Sequence, residues 1–290
     1  MGKVWVRNHT GECSLVNTVR AFPAFDDYFP DLNGFILELV NAYEAGKIPS
    51  WEDLDRRVKQ YFTPERMQQM ESRVPGWERM ASYTEGITLV HVMCVFLGMF
   101  MLPEYQALAP AQQQMAKWIV LFHDLDKVHV EGKKDTMHAF RSGVQAANLL
   151  PRFGFRAREK YHERIGQWSK YAMGAFLLEE SNGTPKPDNR KLPGILIGID
   201  NLFGKNTPAA LVTKTALLHI SLAVDPFYPT PAPLTDDEIK RFIDPDLFPL
   251  LRVMMHADNE GWSLFETETR IQRRNNAKKA FENIEMLFTR

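Results

Sequence analysis

The stretch Trp118-Ile119-Val120-Leu121-Phe122-His123-Asp124-Leu125-Asp126-Lys127 sets an apolar run directly against a His-Asp pair. Upstream, Met115, Ile119 and Phe122 stand at helical spacing, so the run reads as the end of a helix with His123 and Asp124 where it stops. The same period appears far from it, in Phe35, Leu39, Val40 and Tyr43.

Helix punctuation recurs along the chain. Ser50 with Asp53 predicts a capped start for a helix over Trp51 to Phe62. Thr63-Pro64 and Thr207-Pro208 each read as an N-cap followed by proline in the first turn, the latter opening Ala209 to Val224. Thr235 and Glu238 form a capping box before Ile239 to Ile243. Strict alternation is scarce, and Asn33-Gly34 and Asn182-Gly183 lie beside helical patterns instead of between β-branched runs. Loops are expected at 132–136, 181–194 and 225–235, where glycine and proline gather. These signals describe one all-α, multi-helix bundle over 1–290, with an N-terminal helical extension over 1–80 and a core over 84–265.

Composition narrows the function. A formal net charge of −1, from 35 basic and 36 acidic residues, gives no footprint for duplex nucleic acid. Cys13 and Cys94 could pair, but they build neither a disulfide framework nor a Cys-x-x-Cys zinc site. The apolar run Ile87 to Leu102 is broken by His91 and ends at Pro103, short of the ~20 residues that span a bilayer. Without a signal-like N-terminus either, a soluble, cytoplasmic setting with no membrane partner is expected, and the sequon at Asn182 is accidental. No Gly-x-Gly-x-x-Gly, Walker loop or serine elbow is present.

The chemistry-bearing residues are spread over separate helical segments. His91 lies inside an apolar helix, His123-Asp124 ends another and His138 opens a third. His219 and Asp258 follow on a fourth and fifth. Imidazole and carboxylate together suit Fe, Mn, Zn, Co or Ni, and ligands on packed helices are held rigidly. A carboxylate at a helix end can also bridge to a second ion, and paired ions activate water and stabilise phosphoryl charge.

Taken in this order, the residues resemble the HD-domain superfamily of metal-dependent phosphohydrolases: His91, then His123-Asp124 with Leu125-Asp126-Lys127, then His138 in His138-Ala139-Phe140-Arg141-Ser142-Gly143, then His219, then Asp258 in Ala257-Asp258-Asn259-Glu260-Gly261. The resemblance covers about residues 84–265, with 156–210 as an insertion. It implies one or two divalent ions (Mn, Fe, Ni, Co, Zn or Mg), the first held by His91, His123, Asp124 and Asp258. His138 and His219 would hold a second, with Asp124 bridging; His162 rivals His219, and His138 is alternatively a general acid. The implied reaction is hydrolysis of a phosphomonoester or phosphodiester, of a nucleotide or another small phosphorylated molecule, by metal-bound water. Lys127 and Arg141 are candidates for the phosphate, against a solvated helix end for Lys127 and a salt bridge for Arg141. Asp126 stands where the family commonly has glycine, which adds negative charge beside the expected ion. The alternatives are a metal-retaining domain that binds without turnover, and a di-iron oxygenase on the same scaffold. Oligomeric state is not written in the sequence.

Overall fold

The computed structural model describes residues 3–7, 13–17, 22–82, 86–128, 135–179, 183–226 and 230–289, the first two segments as backbone. The chain begins with an antiparallel hairpin of β1 (Lys3–Arg7) and β2 (Cys13–Asn17), in which Lys3 pairs with Asn17. This corrects the expected helical extension over 1–80: Val4-Trp5-Val6 and Val16 are β-branched and aromatic types that favour a pleated ladder. Helices take over with α1 (Phe25–Tyr28), α2 (Pro30–Glu44), α3 (Trp51–Tyr61), α4 (Pro64–Arg73) and α5 (Trp77–Ser82). Ser50 Oγ accepts from the Asp53 N–H at 3.1 Å, and Thr63 caps α4, as the sequence predicts.

Next come α6 (Ile87–Phe100), α7 (Pro103–Gln106), α8 (Pro110–Phe122) and α9 (His138–Leu149). Residues 156–210 contribute α10 (Tyr161–Met173), a hairpin of β3 (Phe176–Leu178) and β4 (Pro185–Pro187), and α11 (Leu192–Phe203). The loop expected at 181–194 is therefore corrected twice. Gly183, at φ +64°, lies between β3 and β4, while Asn182 lies outside the described residues. Pro193 falls in the first turn of α11, where a missing N–H costs nothing. The fold closes with α12 (Pro208–Leu218), α13 (Asp236–Phe242), α14 (Phe248–Gly261) and α15 (Thr267–Thr289). The Thr207 cap and the Thr235–Glu238 box form as predicted. The result is an all-α, multi-helix fold with two small hairpins.

Five helices make the centre: α6 packs along α14, α9 along α12, and α8 touches all four. From Thr88 to Met99, α6 is buried on every side, the mark of a core helix. Two glycines permit the close crossings. A Cβ on Gly143 of α9 would lie 2.7 Å from Leu217 Cβ, and one on Gly261 of α14 would lie 2.9 Å from Val95 Cγ2. On the outer side of α8, buried Lys117 donates to Asp26 (2.5 Å) and Asn33 (2.9 Å), tying α1 and α2 to it. No helix among the described residues is long and apolar enough to cross a membrane. Cys94 is a buried free thiol, while the side chains of Cys13 and His9, and His129, lie outside the described residues.

Candidate metal centre

Each central helix delivers at least one candidate to the same interior region. His91 sits in the second turn of α6, His123 caps the C-terminus of α8 with Asp124 next, and His138 is the first residue of α9. His219 caps the C-terminus of α12, which stops at Leu218 instead of running on to Val224, and Asp258 lies near the end of α14. The carbonyl ends of α8 and α12 both meet the site, and helix C-termini favour cations.

All six residues come together as two contiguous triads, His91–His123–Asp258 and Asp124–His138–His219, with ligand atoms in each within 4.8 Å of one another. Asp124 stands between them. Its Oδ2 is 3.7 Å from Nε2 of both His91 and His123, and its Oδ1 is 3.3 Å from His138 Nε2. One carboxylate thus presents an oxygen to each triad.

The local backbone fixes the imidazoles. His123 Nδ1–H donates to Val120 O (2.8 Å), His138 to Asp135 O (2.6 Å) and His219 to Ala216 O (2.7 Å). A carbonyl only accepts, so Nδ1 carries the proton and each Nε2 turns a lone pair inward. His138 and His219 then face each other with Nε2 atoms 3.2 Å apart, two lone pairs that need a cation or a proton between them. His123 Nε2 and Asp124 Oδ1 are buried with no hydrogen-bond partner. Buried orphans of this kind cost roughly 1–3 kcal/mol each unless something binds them. The donor set and its orphaned atoms fit one or two metal ions.

Electrostatics agree with that fit. Burial pushes His123 and His138 down to about 4, so both rings are neutral near pH 7 and offer lone pairs. That favours ligation by His138 over the general-acid role. Burial alone would raise the Asp124 carboxyl, but Lys127 and the surrounding imidazoles hold it well below the usual carboxylate range. For Asp258 burial is likewise outweighed, by the His91 hydrogen bond at 2.8 Å and the neighbouring rings.

The outer residues divide. Lys127 donates to Asp124 Oδ2 at 2.7 Å and lines the cavity beside the triads; it is not a solvated helix end. Arg141 takes the salt-bridge option: it donates to Asp126 O at 3.0 and 3.2 Å and pairs with the Asp135 carboxylate. It thereby steadies the segment whose carbonyl orients His138. The Asp126 carboxylate turns away from the centre to Arg79 Nη2, at 2.6 Å, so the extra charge expected beside the ion is neutralised elsewhere. His162 is exposed on α10 and belongs to neither triad. His256 is buried on another face of α14 from Asp258.

Sequence reasoning missed Trp262. Its ring stacks on His91 at 3.9 Å with 15° between planes, and Lys127 Nζ is 5.3 Å from its centroid. His91 Nδ1 has no hydrogen-bond partner, so this stack replaces the carbonyl that orients the other three rings. The available signal was the four-residue step from Asp258 to Trp262, which puts both on one face of the helix end. Beside the triads opens a cavity of about 440 Å³, lined by His138, His219, Asp258 and Trp262 together with Leu222, Val224 and Met255 among others.

No protein-family model, no curated protein and no solved structure matches the chain.

Proposed function

We infer that the protein is an HD-type, metal-dependent phosphohydrolase acting on a small phosphomonoester or phosphodiester. The observation that carries this reading is Asp124 standing between two histidine-containing triads, with an oxygen toward each and orphaned atoms around it. Nothing in a purely structural cluster rewards three inward lone pairs and an unpartnered carboxylate oxygen. His91, His123 and Asp258 would hold one ion, His138 and His219 another, and Asp124 both. Two divalent ions at such a site supply an activated water and stabilise charge on a phosphoryl oxygen. Lys127 sets an ammonium against Asp124 at the cavity wall, where a nonbridging phosphoryl oxygen can share it. Arg141, through Asp135, keeps the His138 ring in its ligating tautomer.

The test is to strip the protein of metal, reload it separately with Mn, Fe, Co, Ni, Zn or Mg, and assay a panel of phosphomonoesters and phosphodiesters. Hydrolysis that depends on the added metal and disappears in Asp124→Ala is expected. Tight metal binding without turnover of any ester would replace the reading with a binding domain, and oxygen consumption by the iron form would replace it with an oxygenase.

A further inference from the structure

We propose that the cavity selects a singly phosphorylated ester whose leaving group is largely apolar, and disfavours polyphosphates; this rests on the phosphohydrolase reading of the same site. Besides the triad residues, the lining includes Ile220, Leu222, Val224, Pro231 and Met255 and the half-exposed Trp262 ring. Polar groups line it too: the charged Lys127, Asp135, Asp225 and Arg273 are already engaged, whereas the buried Asn259 Nδ2 has no hydrogen-bond partner and is an open neutral donor. Arg273 pairs with Asp225 at 3.6 Å and donates to Asn259 O at 3.2 Å, while Lys127 is on Asp124. The apolar part of this lining stabilises a hydrocarbon or aryl body by desolvation, and the neutral Asn259 donor offers a second phosphate no charge to pair with.

Charge points the same way. Among the described residues lining the cavity, Asp135, Asp225 and Asp258 against the cations Lys127 and Arg273 leave one negative charge; of the adjoining groups, Asp124 adds another and Arg141, paired with Asp135, cancels it. Two divalent ions would convert that to three positive charges, enough for one phosphomonoester dianion. A triphosphate would bring about two further negative charges into a lining with no uncommitted cation among the described residues to meet them. The cavity is large enough for an aryl group beside the phosphoryl, so neither size nor shape forces a smaller ligand.

The experiment uses phosphonates, which are not cleaved, so that binding is read without turnover. Methylphosphonate, 1-naphthylphosphonate and a β,γ-imido analogue of a nucleoside triphosphate are titrated calorimetrically into the manganese-loaded protein. Naphthylphosphonate should bind at least about tenfold more tightly than methylphosphonate, from the apolar area it buries, and more tightly than the triphosphate analogue. Val224→Thr, which keeps the side-chain shape, and Leu222→Asn should each shrink the naphthyl-to-methyl ratio to about threefold or less, with melting curves confirming that both variants are folded. Equal affinity for the two phosphonates, binding of neither, or tightest binding of the triphosphate analogue would overturn the proposal. The two readings fail separately. A naphthyl preference in a protein that hydrolyses nothing upholds the cavity assignment and sinks the hydrolase, whereas metal-dependent hydrolysis with no naphthyl preference does the reverse.

Discussion

Helix α14 carries a carboxylate on each of two faces, and the two are built differently. Toward α15, Glu260 is fully buried yet closed: Arg270 donates at 3.0 Å and Arg274 at 2.6 Å. Toward α6 and α8, Asp258 joins a cluster in which acceptors outnumber donors. His123 Nε2 and Asp124 Oδ1 have no partner, and His138 and His219 point lone pairs at each other. A balanced network of carboxylate and guanidinium is complete as protein. A surplus of convergent lone pairs is complete only with a cation. The first arrangement needs nothing more, and the second could hold a metal ion.

The largest break of this contrast is Asp124→Ala. It should lower metal affinity by well over the roughly 10–100-fold that outer-shell changes cost, and remove both ions, because one residue serves both triads. Metal analysis of the purified variant checks it, and wild-type stoichiometry would refute the bridging role. Glu260→Gln should do the opposite: cost about 2–4 kcal/mol of stability by denaturant titration, discounted for the partial exposure of the two arginines, while ion content stays at the wild-type level. A variant that lost its metal instead would merge the two faces of α14.

The pH response sharpens the same division. His256, buried against Phe281 among Glu104, Arg252, Glu260 and Arg274, is pushed down by burial to about 4. Its folded form binds a proton less readily than its unfolded form, so between about 6.5 and 4 the unfolded chain is the more protonated. The stability this neutral ring permits is therefore full above about pH 6.5 and declines as pH falls toward 4, by up to about 3 kcal/mol. Replacement by Leu should flatten that part of the curve, read from urea midpoints across pH; an unchanged slope would remove His256 from the account.

Trp262 supplies the smallest effect. Trp262→Leu should weaken binding of one ion about tenfold, since it loosens the His91 ring, and Trp262→Phe should restore most of it. Competition with a chelating dye reads both, and three equal affinities would leave the stack without a role.

What the sequence conveyed follows the range of the forces involved. The caps at Ser50, Thr63, Thr207 and Thr235 are local hydrogen bonds, so spacing alone found them. The six triad residues were also legible, because each sits at a recognisable point of its own helix and their order along the chain is informative. The three-residue strands β3 and β4 were not: Phe176-Leu177-Leu178 does not alternate, and Pro185 and Pro187 read as breakers. Tertiary partners were hidden too. That Asp126 turns to Arg79, Arg141 to Asp135 and Trp262 onto His91 depends on helices being brought together, which no local pattern records. The helix end at Leu218 was misjudged for a related reason, since nothing in Ile220-Ser221-Leu222 announces the stop that sets His219 at a cap.

The central claim is that Asp124 joins two cation sites in one centre, and manganese reports on that directly. Metal-free protein titrated with Mn(II) and followed by electron paramagnetic resonance should take up two ions per chain and give the broad multiline spectrum of an exchange-coupled pair. A single bound ion with an isolated six-line spectrum, or no bound manganese at all, would contradict it.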